Sequence, residues 1–246
     1  MKAHETIDSN RREFLLIAGA AAASLAASGL PITAFAAGMK LGLIGSGRVG
    51  SSIGELWVKA GHEVMFSSLD LEKDKALAAS LGRGARAGTP KEAGAFGEVL
   101  FISVPYSAMP SVGRDLGDLL KGKIVLDASN PIPGRDGDMA LEARAKGTGV
   151  ASPQFLPGAR LVRAFNCVGA GMMKSEAHRA GEKLGIPMAA DDQAALQTAV
   201  RLVQEAGFDP VVVGGLARAR EFDAGTPIFG KSLTAAEVRK VLGSNS

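Results

Sequence analysis

The chain has 246 residues, 46% of them hydrophobic and 22% charged, the profile of a globular protein with enough apolar surface for a core. Its formal net charge of +3 is spread along the chain without a block of like charges, so no nucleic-acid footprint is expected although the sequence pI is about 9.1. The single cysteine, Cys167, excludes an intramolecular disulfide and a cysteine-rich metal site, and it reads as a buried small apolar residue. His4, His62 and His178 are too scattered for a zinc constellation, so no metal is expected.

In chain order, the first feature is an address rather than part of a fold. Ser9-Asn10-Arg11-Arg12-Glu13-Phe14 sets paired arginines ahead of an apolar run, the pattern of a twin-arginine export signal. Residues 15–37 are rich in Ala, Gly and Ser and contain Ala34-Phe35-Ala36, a small-x-small site with cleavage expected after Ala36. Residues 1–37 are therefore expected to be a signal peptide, and residues 38–246 a domain exported by the twin-arginine machinery to the periplasm or beyond. An uncleaved membrane anchor and a cytoplasmic form started at Met39 are the alternatives.

From Lys40 onward short apolar runs alternate with segments of helical periodicity, which predicts βαβ units and a parallel sheet. Strands are predicted over 40–44, 63–67, 98–103, 123–127, 160–165, 187–190 and 210–213, with helices between them. Two helices open on capping boxes, Thr89-Pro90-Lys91-Glu92 and Thr234-Ala235-Ala236-Glu237. The expected architecture is α/β, a single Rossmann-type doubly wound, mainly parallel sheet with helices on both faces. No repeat or linker marks a second large domain, and too few residues follow the last predicted strand to build one.

Gly45-Ser46-Gly47-Arg48-Val49-Gly50 follows the first strand and opens an amphipathic helix, the context that a G-x-G-x-x-G sequence needs to hold a dinucleotide. Gly45 permits the turn, Gly47 lets the backbone approach a pyrophosphate, and Gly50 lets helix and strand pack closely. The pyrophosphate is expected at the helix N-terminus, where unpaired N–H groups and the dipole favour an anion. Where an NAD-specific fold places an acid after the second strand, Ser67 is followed by Ser68, and Lys73 offers a positive charge. These residues favour NADP, while Asp70 is positioned to reclaim the ribose for NAD.

The chain resembles the NADP oxidoreductases dependent on the deazaflavin coenzyme F420, which share a fold with the N-terminal domain of pyrroline-carboxylate reductases. The resemblance runs from Met39 to about Asp223. It is carried by the glycine loop, Gly61-His62-Glu63-Val64 leading to Ser67-Ser68, Ser103-Val104-Pro105-Tyr106, Asn130-Pro131, Ala164-Phe165-Asn166 and Ala190-Asp191-Asp192. It implies that Val104 and Pro105 line the nicotinamide ribose side and that Asn130 and Pro131 close the same crevice. It further implies a grip on the 2′-phosphate by Ser68 and Lys73, although Leu69 stands where the family has arginine.

The resemblance also implies hydride transfer between the nicotinamide and a deazaflavin- or flavin-like ring, chemistry that needs no side-chain acid or base. No catalytic residue is assigned on this reading. Tyr106, Phe165 and Asn166 are expected on the acceptor side, with Arg218 and Arg220 as contacts to an anionic tail. The partners expected are a small-molecule hydride acceptor and the export machinery. Two other readings stand beside this one: a non-catalytic exported NAD(P)-binding module, and a short dehydrogenase of hydroxy acids or imines whose site is completed through a homodimer.

Overall fold

The computed structural model describes residues 38–243, so the expected signal peptide lies outside the described residues. Eight strands form one sheet: β1 (Lys40–Ile44), β2 (Glu63–Ser67), β3 (Ala85–Ala87), β4 (Val99–Ile102), β5 (Ile124–Asp127), β6 (Arg160–Arg163), β7 (Gly185–Ala190) and β8 (Asp209–Gly214). Their order is β3-β2-β1-β4-β5-β6-β7-β8. All neighbours are parallel except β6 and β7, which run antiparallel through Val162 opposite Ala190 and Arg163 opposite Ala189. The strand absent from the sequence reading, β3, has three residues at the sheet edge and buries none of them. The predicted strand over 160–165 stops at Arg163, because Phe165 turns to a φ of 62°.

Among the described residues, nine α-helices connect or follow the strands: α1 (Arg48–Lys59), α2 (Leu71–Leu81), α3 (Pro90–Phe96), α4 (Met109–Leu116), α5 (Pro133–Lys146), α6 (Thr148–Ala151), α7 (Ala170–Glu176), α8 (Gln193–Glu205) and α9 (Ala235–Val241). Both capping boxes are formed, Thr89 with Glu92 and Thr234 with Glu237, each fixing where its helix begins. On one face of the sheet, Trp57 of α1 lies edge-on to Phe101 and Phe165 at ring-centroid distances of 5.3 and 6.0 Å. Its indole N–H donates to the carbonyl of Leu202 at 2.9 Å and so ties α1 to α8. On the other face Ile44, Leu100, Ile102, Tyr106 and Leu116 form a second apolar cluster.

The registers bring Ile44, Ser67, Ile102, Asp127 and Arg163 to one level across five strands. From β1 the chain goes outward to β2 and β3, then returns to the other side of β1 as β4. The carboxyl ends of β1 and β4 therefore flank the point at which the winding reverses, the place where an open α/β sheet leaves a crevice.

Candidate dinucleotide site

Ser67 ends β2 fully buried, and its carbonyl accepts the N–H groups of both Gly45 and Ser46 at 2.9 Å. Its hydroxyl donates to the Leu43 carbonyl at 2.6 Å. Ser67, expected among the cofactor ligands, instead positions the loop from behind, because every polar group it has is turned toward β1. Gly45 takes a φ of 96°, which an L side chain rarely adopts, and a Cβ there would stand 2.5 Å from the Ser103 carbonyl oxygen. Gly50 is pressed so tightly on the strand end that a Cβ would stand 2.0 Å from the Gly45 carbonyl oxygen.

Gly47 is different. It is exposed, its φ of −63° suits any residue, and a Cβ would meet nothing within 4 Å. Neither φ nor steric crowding requires glycine at this N-cap position, where folding itself asks only the modest preference of an N-cap for glycine over alanine, and the open space lies at the N-terminus of α1. That terminus has no side-chain cap and no acidic residue in its first turn. Its free N–H groups and positive dipole end suit a phosphate, so the loop fits a pyrophosphate on the geometry of this chain alone.

A crevice of 210 Å3 continues from the loop between the ends of β1, β2 and β4 and the side of α4. Ser68, Leu69, Val104 and Pro105 line it together with Gly45. Leu69 is completely exposed at its mouth. Asp70 caps α2 by accepting the Lys73 N–H at 3.0 Å, so one carboxylate oxygen expected for a ribose is engaged in the fold. The residue that sequence reasoning missed is Asp74. It is 1% exposed, and it accepts the hydroxyls of Ser46, in a very short contact, and of Ser68 at 2.8 Å. Its position in a charged helical run, between Lys73 and Lys75, reads as a solvated face.

Beyond β4 and β5 several polar groups are engaged, but Asn130 Oδ1, Asn166 Oδ1 and the Nε and Nη2 of Arg163 are buried without a hydrogen-bond partner among the described residues. Asn130 donates its side-chain amide to the Asn166 backbone carbonyl at 2.7 Å, and its backbone carbonyl accepts from Arg135 at 2.7 Å, while its side-chain Oδ1 has no partner. Pro131 is buried beside it. Burial opposes ionisation of Asp136, yet Arg135 and the N–H groups of Ile132 and Ser107 outweigh it and hold the carboxyl well below the usual range. Behind these loops lies a buried ion pair, Arg163 Nη1 to Asp127 Oδ2 at 2.6 Å, with both side chains fully buried. Asp223 stands 3.6 Å from the same guanidinium and accepts the N–H of Thr148 at 2.9 Å.

Three acceptor-side expectations are corrected here. Tyr106 is fully buried with its hydroxyl 3.2 Å from that of Ser152, and burial pushes the phenol up to about 12. Phe165 drops its ring among Trp57, Phe101 and Phe208 and belongs to the core. Asn166, 3% exposed, donates its side-chain N–H to the Phe222 carbonyl at 3.1 Å, with its Oδ1 buried and unpartnered. Arg218 is held by Glu221 at 2.7 Å and by the Val213 carbonyl, so it is not a free cation for an anionic tail, whereas Arg220 is exposed. His62 is a structural link, accepting the Met39 N–H at 3.0 Å and meeting Glu205 at 2.9 Å. Burial pushes the Cys167 thiol up to about 12, consistent with an inert packing residue.

The family model for NADP oxidoreductases, coenzyme F420-dependent, matches residues 40–131. Metalloreductase STEAP3 of Rattus norvegicus is 30% identical over 188 residues, which are 75% of this chain but only 36% of that protein. The chain thus spans about a third of that relative's length. The F420-dependent NADP reductase of Methanothermobacter thermautotrophicus is 28% identical over 205 residues, covering 78% of this chain and 88% of the relative. A solved structure of a hypothetical protein from Sinorhizobium meliloti shares the fold, with a TM-score of 0.67, 23% identity and coverage of 80% of this chain and 95% of that one. The match to that family model thus falls on the segment that carries the glycine loop, the second strand and the Val104-Pro105 step.

Proposed function

We propose that the chain is an oxidoreductase that holds a nicotinamide dinucleotide on the Gly45–Gly50 loop and passes hydride to or from a second carrier. The observation that carries this reading is Gly47, a glycine with ordinary backbone angles and empty space before it, at the uncapped N-terminus of α1. The N–H groups of the first turn of α1 would take the pyrophosphate, and the apolar crevice beside Val104 would take the adenosine side or the nicotinamide ribose. When bound, the nicotinamide supplies the hydride chemistry, with coenzyme F420 or a flavin as the proposed acceptor. The residues of this chain bind, orient and exclude water. Tyr106 is too deeply buried to exchange a proton with a bound acceptor.

Export by the twin-arginine route is proposed with it, on the strength of Arg11-Arg12 before the apolar run. That route carries folded proteins, which suits a domain loaded with its cofactor before it leaves. The test of function is anaerobic mixing of the full chain with reduced dinucleotide and oxidised coenzyme F420 or flavin. Stoichiometric, saturable loss of the nicotinamide absorbance is expected; tight dinucleotide binding with no turnover on any carrier would make the chain a binding module instead.

A further inference from the structure

We propose that Asp74 is a positioning residue that sets cofactor choice, turning the hydroxyls of Ser46 and Ser68 inward so that this site takes NAD(H) at least as well as NADP(H). The proposal rests on the reading of the glycine loop as the dinucleotide site.

Asp74 lies one turn into α2, where its neighbours Glu72, Lys73 and Lys75 are exposed, yet it is buried against the end of β2. One carboxylate oxygen accepts from Ser46 on the loop and the other from Ser68 after β2, at 2.8 Å. A serine hydroxyl carries one proton. With that proton given to Asp74, each serine presents only lone pairs to whatever lies in front of it. The other donation open to Ser68, to the Asp70 carbonyl at 3.3 Å, also points its proton back into this chain. Ser68 further accepts the Asp70 N–H at 3.1 Å, which fixes the hydroxyl from a second side.

A ribose 2′-hydroxyl has a proton to donate and matches an outward lone pair. A 2′-phosphate carries close to two negative charges at neutral pH and three acceptor oxygens, and it matches donors and cations instead. Here it would meet lone pairs, the buried carboxylate of Asp74 and the exposed carboxylate of Asp70. Leu69, fully exposed between Ser68 and Asp70, supplies no donor. The cations nearest in sequence, Arg48 and Lys73, are both exposed on flexible stems, and an ammonium or guanidinium in water contributes little against fixed opposing charge. Ser68 thus reads in the sequence as a phosphate ligand, but its hydrogen bonds make it an acceptor for a hydroxyl.

The test is the ratio of dissociation constants for NADH and NADPH, measured by calorimetry on the full chain and on Asp74→Asn. The asparagine keeps the size of the side chain but turns one of its ends into a donor, which releases one serine proton and removes the charge. In the wild type, NADH should bind as tightly as NADPH or more tightly. In Asp74→Asn the ratio should move toward NADPH by about tenfold, the effect of one charge-assisted hydrogen bond, and Leu69→Arg should move it further the same way. A general loss of packing would weaken both nucleotides together and leave the ratio in place. The proposal is overturned if the wild type binds NADPH more tightly than NADH, a result that decides even where the variant fails to fold. It is equally overturned if the ratio in Asp74→Asn stays within threefold of wild type. Binding of neither nucleotide by the wild type would bring down the reading of the loop itself, and this inference with it.

Discussion

Glycines 47 and 50 are three residues apart on one loop, and substituting alanine at each should separate folding from binding. At Gly50 the new Cβ would stand 2.0 Å from the Gly45 carbonyl oxygen and 3.0 Å from the Ser103 hydroxyl. The first of these is backbone and cannot swing aside, so α1 must lift from the strand end. Overpacking of this kind costs about 1–3 kcal/mol. In a domain of this size each kcal/mol lowers Tm by about 2–4 °C, so a drop of roughly 4–8 °C is expected for a central cost of about 2 kcal/mol. At Gly47 the Cβ would meet nothing within 4 Å, and the φ of −63° is open to alanine. Its only folding cost is the weaker N-cap preference of alanine, below about 1 kcal/mol.

The dinucleotide should respond in the opposite way. A methyl group on Gly47 occupies the space before the first-turn N–H groups, and we expect Gly47→Ala to weaken NADH and NADPH alike by at least about a hundredfold, or ~2.7 kcal/mol. Thermal melting followed by calorimetric titration reads both quantities from one preparation. Gly47→Ala with unchanged affinity would refute the argument, and so would a Gly47→Ala melt as depressed as that of Gly50→Ala.

Asp127→Ala takes the nearer carboxylate from the buried guanidinium of Arg163, leaving only Asp223 at 3.6 Å, and should cost about 3 kcal/mol, visible as a fall in denaturant midpoint; Asp127→Leu combined with Arg163→Met should recover part of it. Cys167, buried with its thiol raised to about 12, should resist a thiol-directed reagent in the native protein at neutral pH and react stoichiometrically once denaturant is added. Lysine at both Arg11 and Arg12 should retain the chain in the cytoplasm, whereas N-terminal sequencing of the exported wild type should start at Ala37. An exported, full-length double-lysine variant would remove the basis for the twin-arginine reading.

The features legible in the sequence are those fixed by local spacing. The three glycines at the junction of β1 and α1, the two capping boxes and most of the apolar strand runs each depend on a few adjacent residues. The edge strand Ala85–Ala87 escaped because three half-buried or exposed residues carry no pattern. The reversal of β7 escaped because an apolar run has no direction; only its pairing with β6 reveals one. The resemblance sets Phe165 on the acceptor side, yet the φ of 62° swings its ring into the core. Asp74 was hidden for a different reason: its burial comes from α2 folding back onto Ser46, 28 residues earlier in the chain.

The central claim is that a nicotinamide dinucleotide binds at the head of α1, and the only tryptophan of the chain, Trp57, lies on that same helix. Titration of the full chain with NADH and with NADPH, exciting Trp57 and recording emission from the reduced nicotinamide, tests the claim most directly. The account predicts saturable, sensitised nicotinamide emission with matching loss of tryptophan emission, abolished by Gly47→Ala. Absence of energy transfer with both nucleotides, or equal transfer in Gly47→Ala, would contradict it.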